Sequence, residues 1–423
     1  VAVAKSAESH DPAEQAIAKL PSGEEQRKIV CGRPGKDRVR QLFCGPNPPD
    51  IRSLKDLQAK LGLASSNFVF TGHSSSLVGR FTSAINPRLI IFNSGNGASA
   101  PMVTLGFVRG EQFAELISRD PSTNKLNFFL LRFKQDCNDR QGGCNNGELL
   151  GAAIESNWRE ITLFEDEDIE NTILDCKQCH QPAGPSSAKM LRMQELRNPW
   201  THFMRTSTPG GRSLLADFRK AHPNQEFAGI PANRISATDP LRLELFVRAN
   251  GFGNQPNEFP PTIEFTGPLG RNIWQNLYNR FVQGEVIAPP YHSVKVADPA
   301  KQAKMTQAYL DLAAGKIKPE AFPDTRDVLL DSGLRDMGFM VKDGLPGEKI
   351  LVQACAQCHN KKLNQNISRA KFDIDLSKMN KEAKDLAIER INLPDSDVKK
   401  MPPPRFRILT PEEIKRLESV LRQ

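Results

Sequence analysis

The chain has 423 residues, 39% of them apolar, and a formal net charge of +8, enough length for two to four domains. No apolar run approaches the roughly 18–20 residues of a membrane-spanning helix, which excludes a transmembrane segment. Lys and Arg are scattered among Asp and Glu with no basic block interleaved with aromatics, which argues against nucleic acid and leaves a basic surface suited to an acidic partner.

Residues 1–55 read as an N-terminal extension, polar at first and then rich in Pro and Gly (CGRPG, CGPNPPD). The opening VAVAKSAESHDPAEQ has no basic segment followed by an apolar one, as expected of a mature start from which an export signal is absent. Cys31 and Cys44, then Cys137 and Cys144, form two close pairs in turn-rich stretches. Local disulfides are expected for both, and with them an oxidising compartment.

SLKDLQAKLGL predicts a short helix from Ser53. Over residues 56–160 the pattern is β-rich: NFVFTGH, RLIIFN, PMVTLGFVRG and KLNFFLLRFKQ are short runs bounded by Gly, Ser, Asn and Pro. They predict a small antiparallel sheet, with EQFAELISRD as one helix between strands. His73 lies here without companion metal ligands, and the domain is expected to serve as a docking module.

From about residue 161 the pattern turns helical. In DEDIENTILDC the acidic residues suit a first helical turn; KMLRMQEL, PLRLELFVRANG, RNIWQNLYNRFVQG and KQAKMTQAYLDLAAG follow. The last helix has a defined start in LTPEEIKRLESVL: Thr410 as N-cap, Pro411 in the first turn, and Glu413 closing a capping box. Ile414, Leu417 and Leu421 then share a face. The expected architecture is a multidomain α+β chain, with a β-rich domain followed by two mainly helical units at 161–335 and 336–423.

Chemistry concentrates in two copies of CxxCH, LDCKQCHQP (Cys176, Cys179, His180) and ACAQCHN (Cys355, Cys358, His359), 179 positions apart. On one helical turn, residues i, i+3 and i+4 lie side by side. Two thiols so placed can add to the two vinyl groups of one haem while the imidazole meets the iron. A Cys₄ zinc site would leave both histidines unexplained, and a thioredoxin-like dithiol needs a βαβ context that neither copy has. Two haem c groups are therefore expected, attached through Cys176 and Cys179 and through Cys355 and Cys358, with His180 and His359 on the irons.

For the second haem, Met401 in KKMPPPRF follows His359 by 42 positions. The prolines stiffen its loop, and a soft thioether on iron favours Fe(II). Met379 is the other candidate, placed by LSKMNKEAKD on a polar helix. PGEKILVQACAQCH, NKEAKDLAIERI, the MPPP loop and the capped last helix together resemble a class I cytochrome c domain over residues 345–423. That resemblance implies His–Met ligation by His359 and Met401 and a role in electron transfer; KKLNQNISRAKFDIDL reads as an inserted loop.

For the first haem the distal ligand is open between His202 and Met193, with His292 in APPYHSV a further candidate and Met190, Met204 and His222 nearby in sequence. The leading function is electron transfer between the two haems and a redox protein with an acidic docking surface, in a bacterial protein exported to the periplasm, cell surface or medium; self-association is open. The alternative is a dihaem enzyme of peroxidase or oxygenase type. Two distant c-type haems resemble dihaem cytochrome c peroxidases, which implies a reactive first haem beside an acid–base group; His202, Glu195 and Glu226 qualify for that role by residue type alone. A sensor or assembly role is the third.

Overall fold

The computed structural model describes residues 17–71, 85–95, 102–170, 172, 174–181, 188–191, 211–239, 242–243, 246–247, 250, 300, 303–304, 307–308, 311, 314–317, 321, 331–336, 340–356, 358–359, 373–397, 399–403 and 407–423. Three helices come first: α1 (Gly23–Cys31), α2 (Arg38–Phe43) and α3 (Leu54–Lys60). Asp37 and Ser53 cap α2 and α3 by accepting the amides of Arg40 and Asp56. Six strands follow: β1 (Asn67–Thr71), β2 (Arg88–Asn93), β3 (Val103–Phe107), β4 (Phe113–Arg119), β5 (Leu126–Lys134) and β6 (Arg159–Glu165). They form one antiparallel meander in chain order. At the β4–β5 turn Asp120 accepts the Ser122 amide (2.8 Å) and hydroxyl (2.6 Å), and Asn124 takes positive φ.

Both faces of this sheet are buried by the chain itself. Successive side chains alternate, so Phe68, Phe70, Leu89, Ile91, Leu105, Leu116, Phe129, Leu131, Phe133 and Leu163 enter one core. Val69, Ile90, Phe92, Ile117, Phe128, Leu130 and Phe164 point to the other face. The first core is closed by Val30, Val39, Phe43, Leu54 and Leu57, and by Leu215, Phe218, Phe227 and Ile230 from much later in the chain. Helices α1, α2 and α3 thus close the sheet's first core.

Disulfides join Cys31 to Cys44 and Cys137 to Cys144, with Cα atoms 5.3 and 4.7 Å apart, as the spacing predicted. Two buried arginines anchor the helices to the sheet. Arg40 bonds Glu165 of β6 and the Val30 carbonyl (2.6 Å). Arg109 pairs with Glu155, which also accepts the amides of Ala228 (2.9 Å) and Gly229 (3.2 Å).

Two sequence expectations are corrected. EQFAELISRD is β4, not a helix. Phe113, Leu116 and Ile117 fit either period, and the ladders from β3 and β5 decide for a strand. DEDIENTILDC forms turns over its described part: Asp168 accepts the Glu165 amide (2.8 Å), and Thr172 bonds the Ile169 carbonyl and the Leu174 amide (2.6 and 3.1 Å). These local side-chain bonds offer the backbone an alternative to helix.

Beyond the sheet come α4 (Asn146–Leu150, between β5 and β6), α5 (Lys177–His180), α6 (Gly211–Ala221) and α7 (Asp331–Asp336). The expected helices PLRLELFVRANG and KQAKMTQAYLDLAAG are helical at 242–243, 246–247, 303–304, 307–308 and 311. Lys189, Met190 and Leu191 of KMLRMQEL lie outside any helix; its remainder and RNIWQNLYNRFVQG lie outside the described residues.

The C-terminal unit holds α8 (Gly347–Cys355), α9 (Lys381–Ile391) and α10 (Pro411–Leu421) around Ile350, Leu351, Met379, Ile391, Leu417 and Leu421. Thr410 and Glu413 form the predicted capping box, and buried Glu413 also pairs with Arg335 at 2.9 Å. Gly347 lets α8 cross α10 closely: a Cβ there would collide with the Arg416 carbonyl and the Val420 side chain. Gly347→Ala should therefore destabilise this unit by about 1–3 kcal/mol through overpacking. Denaturant unfolding checks it, and parental stability would contradict the close crossing.

Candidate functional site

The two CxxCH motifs share one backbone device. The His180 amide donates to the Cys176 carbonyl at 2.9 Å, and the His359 amide donates to the Cys355 carbonyl at 2.9 Å. Each is a helical i+4→i bond, so the first cysteine and the histidine stand one turn apart on the same side. In the first motif Asp175 starts the turn by accepting the Lys177 amide at 3.0 Å. In the second the turn extends α8, and the Cys358 amide also reaches the Cys355 carbonyl at 3.0 Å.

The first motif sits on the sheet's second face. Cys176 packs against both clusters there. The His180 ring lies over Phe128 of β5, centroids 4.5 Å apart and planes tilted by 31°. Its Nδ1 is 2.9 Å from the Met190 carbonyl. A carbonyl only accepts, so Nδ1 carries a proton, as it does in an imidazole that meets a metal through Nε2. The Met190 amide returns the link by donating to the His180 carbonyl at 2.8 Å. Met190, expected only as a distal candidate, thus positions His180 through its backbone.

Beneath this turn lies a buried ionic cluster. Lys189 and Lys177 (3.8 Å) face Asp166, and Lys177 is 3.4 Å from Glu170. Asp166, Glu170, Asp175 and Lys177 are all buried. Burial pushes the Cys176 thiol well above its ordinary range, helped by the negative charges of Asp166, Asp175 and Glu115.

The second motif lies at the edge of the C-terminal core, where Cys355 touches the cluster of Val341, Ile350, Leu351, Met379, Leu417 and Leu421. Burial pushes the thiols of Cys355 and Cys358 up to about 12 each, against the pull of nearby Arg407. Asp175 and Glu170, from the first motif's side, are close enough to act on Cys358 as well. Residues that flank the C-terminal unit also pack beside the first motif: Leu334, Met340 and Ile408 enter the same apolar cluster as Phe128, Leu191 and Cys176. Met340 and Ile408 themselves form a parallel bridge.

Met401 is fixed at the C-terminal end of α9. Its amide donates to the Arg390 carbonyl at 3.1 Å, Lys400 Nζ bonds the Ile391 carbonyl at 2.8 Å, and the Met401–Pro402 bond is cis. Met379, expected on a polar helix, instead precedes α9 and is buried in the C-terminal core. Apolar neighbours explain this: Asn380 caps α9, and the residue before the cap turns inward.

His222 and Glu226 belong to the other side of the sheet. His222 Nε2 donates to the Ile85 carbonyl at 2.6 Å, and its ring packs on Phe218 and Phe227 of the first core. Glu226 pairs with Lys55 at 2.8 Å. The sheet separates both from the first motif. His202, Met193, His292, Met204, Glu195 and His73 lie outside the described residues, as does the side chain of Cys179.

Cys176, Cys355 and Cys358 are free thiols beside two formed disulfides. Their raised pKa values oppose the lowered ones of reactive dithiols. Among the described residues no three His, Cys, Asp or Glu side chains gather to hold a metal ion by themselves. A haem thioether carries no charge, so an apolar setting that disfavours thiolate accommodates it. The residues present fit haem c by type, helical placement and apolar wall. No family model, curated protein or solved structure matches the chain.

Lys189 ties the first motif to Asp166. Lys189→Met should leave that buried carboxylate underpaired, cost about 3 kcal/mol, and speed amide hydrogen exchange across residues 176–181 before the rest of the sheet. Unchanged exchange there would show that the ion pair does not hold the turn.

Proposed function

We propose that this chain is a dihaem c-type electron-transfer protein. The observation that carries the reading is the matched pair of turns, each closing a histidine amide onto the first cysteine carbonyl, with the Nδ1–H of His180 held by the Met190 carbonyl. Haem c, when bound, supplies a one-electron iron couple.

The chain's own residues supply the rest. Cys176 with Cys179, and Cys355 with Cys358, would anchor the two groups. His180 and His359 would ligate the irons, and the Met190 carbonyl would orient His180 and raise its basicity. The C-terminal core would give the second group an apolar wall, and the α9-pinned loop would present Met401 as its sixth ligand. His202 or Met193 is the proposed sixth ligand of the first. The shared cluster of Cys176, Leu334, Met340 and Ile408 supports two groups in one body rather than two independent carriers.

The net charge of +8 supports a redox partner with an acidic docking surface. The two disulfides support an exported location, periplasmic or at the cell surface, and among the described residues no helix is long and apolar enough to cross a membrane.

Expression with cytochrome c maturation should yield two covalent haems per chain, counted by mass and by pyridine haemochrome absorbance. Replacing Cys355 and Cys358 by Ala should leave one, as should replacing Cys176 and Cys179. Met401→Ala should abolish the sulfur-to-iron charge-transfer band of the second haem and lower its potential. A chain exported through that machinery without haem would overturn the reading.

A further inference from the structure

We propose that the Cys31–Cys44 disulfide is a redox-sensitive clamp on the first CxxCH turn. Oxidised, it holds Arg33 and Arg40 against the segment that leads into that motif. Reduced, it lets the motif loosen while the second CxxCH turn stays as it is. The clamp goes beyond the dihaem reading, and its structural part stands without that reading.

The bridge joins cysteines 13 positions apart and closes a ring around the connection between α1 and α2. Gly32, Pro34, Gly35 and Lys36 in that connection are exposed, so apolar burial does little to fix it. Arg40 fixes it from inside, donating to the carbonyls of Val30 (2.6 Å) and Arg33 (3.3 Å). The connection in turn grips the end of the sheet. Arg33 is bidentate on Asp168 (2.5 and 3.1 Å) and reaches Glu165 at 3.0 Å, and Arg40 bonds the other oxygen of Glu165. The amides of Lys36 and Arg38 donate to the side chains of Asp120 (2.8 Å) and Ser118 (3.1 Å). From Glu165 and Asp168 the chain runs to the first motif. Asp166, between them, is the buried carboxylate that faces Lys177 of the motif and Lys189. Ile169 and Leu174 then pack in one cluster with Cys176. The second motif lacks this tie: among the described residues, the cluster around it draws on positions 341–421 alone.

Both cysteines of this bridge are half-buried, whereas Cys137 of the other bridge is buried. A dithiol reductant opens such a bridge by exchange: one thiolate attacks a cysteine sulfur, the S–S bond breaks, and the second thiolate resolves the mixed disulfide. Two electrons and two protons pass to Cys31 and Cys44, and the reductant leaves as its own disulfide. The dihaem reading gives the device a use. Thioether formation consumes free thiols at Cys176 and Cys179, so a dithiol that keeps them free meets the Cys31–Cys44 bridge in the same compartment. The state of the bridge then sets whether the first motif is presented as an ordered turn.

The test is amide hydrogen exchange, read by mass spectrometry, on the full chain and two double variants, Cys31→Ser with Cys44→Ser and Cys137→Ser with Cys144→Ser. Covalent haem in the parent is counted first; its absence would refute the dihaem reading, and exchange still decides the clamp. In the first double variant the amides of 165–181 should exchange faster by on the order of tenfold or more, as expected when a short ring is opened. Those of 350–359 should keep the parent's rates, and the second double variant should match the parent in both segments. Brief dithiothreitol treatment of the folded parent, with alkylated Cys31 and Cys44 counted by mass, should reproduce the first result. Parental exchange across 165–181 with the bridge open would overturn the clamp. Equal acceleration at 350–359 would also overturn it, because it would mark a general loss of stability. Where the first double variant fails to fold, Arg33→Gln with the bridge intact takes its place: it should speed the same amides, and unchanged rates there would overturn the route through Asp168.

Discussion

Phe128 and Phe129 are neighbours in one strand and serve opposite sides of the molecule. Phe129 enters the core closed by the N-terminal helices, whereas Phe128 meets the His180 ring. Strand alternation makes this unavoidable once both faces of β5 are covered. A sheet buried on both faces must find apolar partners for both, and this chain recruits them from distant segments: Val30, Phe43, Leu57, Phe218 and Ile230 on one side, Leu174, Leu191, Phe246, Leu334, Met340 and Ile408 on the other. The sheet is therefore a platform that positions the first CxxCH turn.

The two turns are alike in backbone and unlike in setting. Each closes its histidine amide onto its first cysteine carbonyl at the same length. The first rests on an aromatic strand above a buried ionic cluster; the second ends a helix in a small helical core beside Arg407. Burying carboxylates and lysines costs desolvation that pairing only partly returns. The cluster is thus a poor way to gain stability alone.

Much of this was legible in the sequence. Thr410 and Glu413 announced the last helix because a capping box is local chemistry. The cysteine pairs announced their disulfides because their loops are short. Four strands were visible as β-branched and aromatic runs, and NFFLLRF in β5 carried a further signal: a nearly unbroken apolar run marks a strand covered on both sides. Other features were hidden for physical reasons. FAELISR fits both periods, and only its ladders to β3 and β5 settle it. DEDIENTILDC has helical charge placement, but Asp168 and Thr172 bond the backbone locally instead. The roles of Phe128, the Met190 carbonyl and Arg407 depend on long-range contacts that no spacing encodes.

The central proposal is that two CxxCH turns carry haem within one body, the first turn on the sheet's second face and the second at the edge of the C-terminal core. The iron–iron distance in the fully oxidised protein, measured by pulsed electron paramagnetic resonance, tests it most directly. The account predicts two irons per chain and a single narrow distance distribution. A broad distribution would mean two independently moving units and would contradict the shared cluster of Cys176, Met340 and Ile408; a preparation with one iron or none would contradict the assignment of the turns.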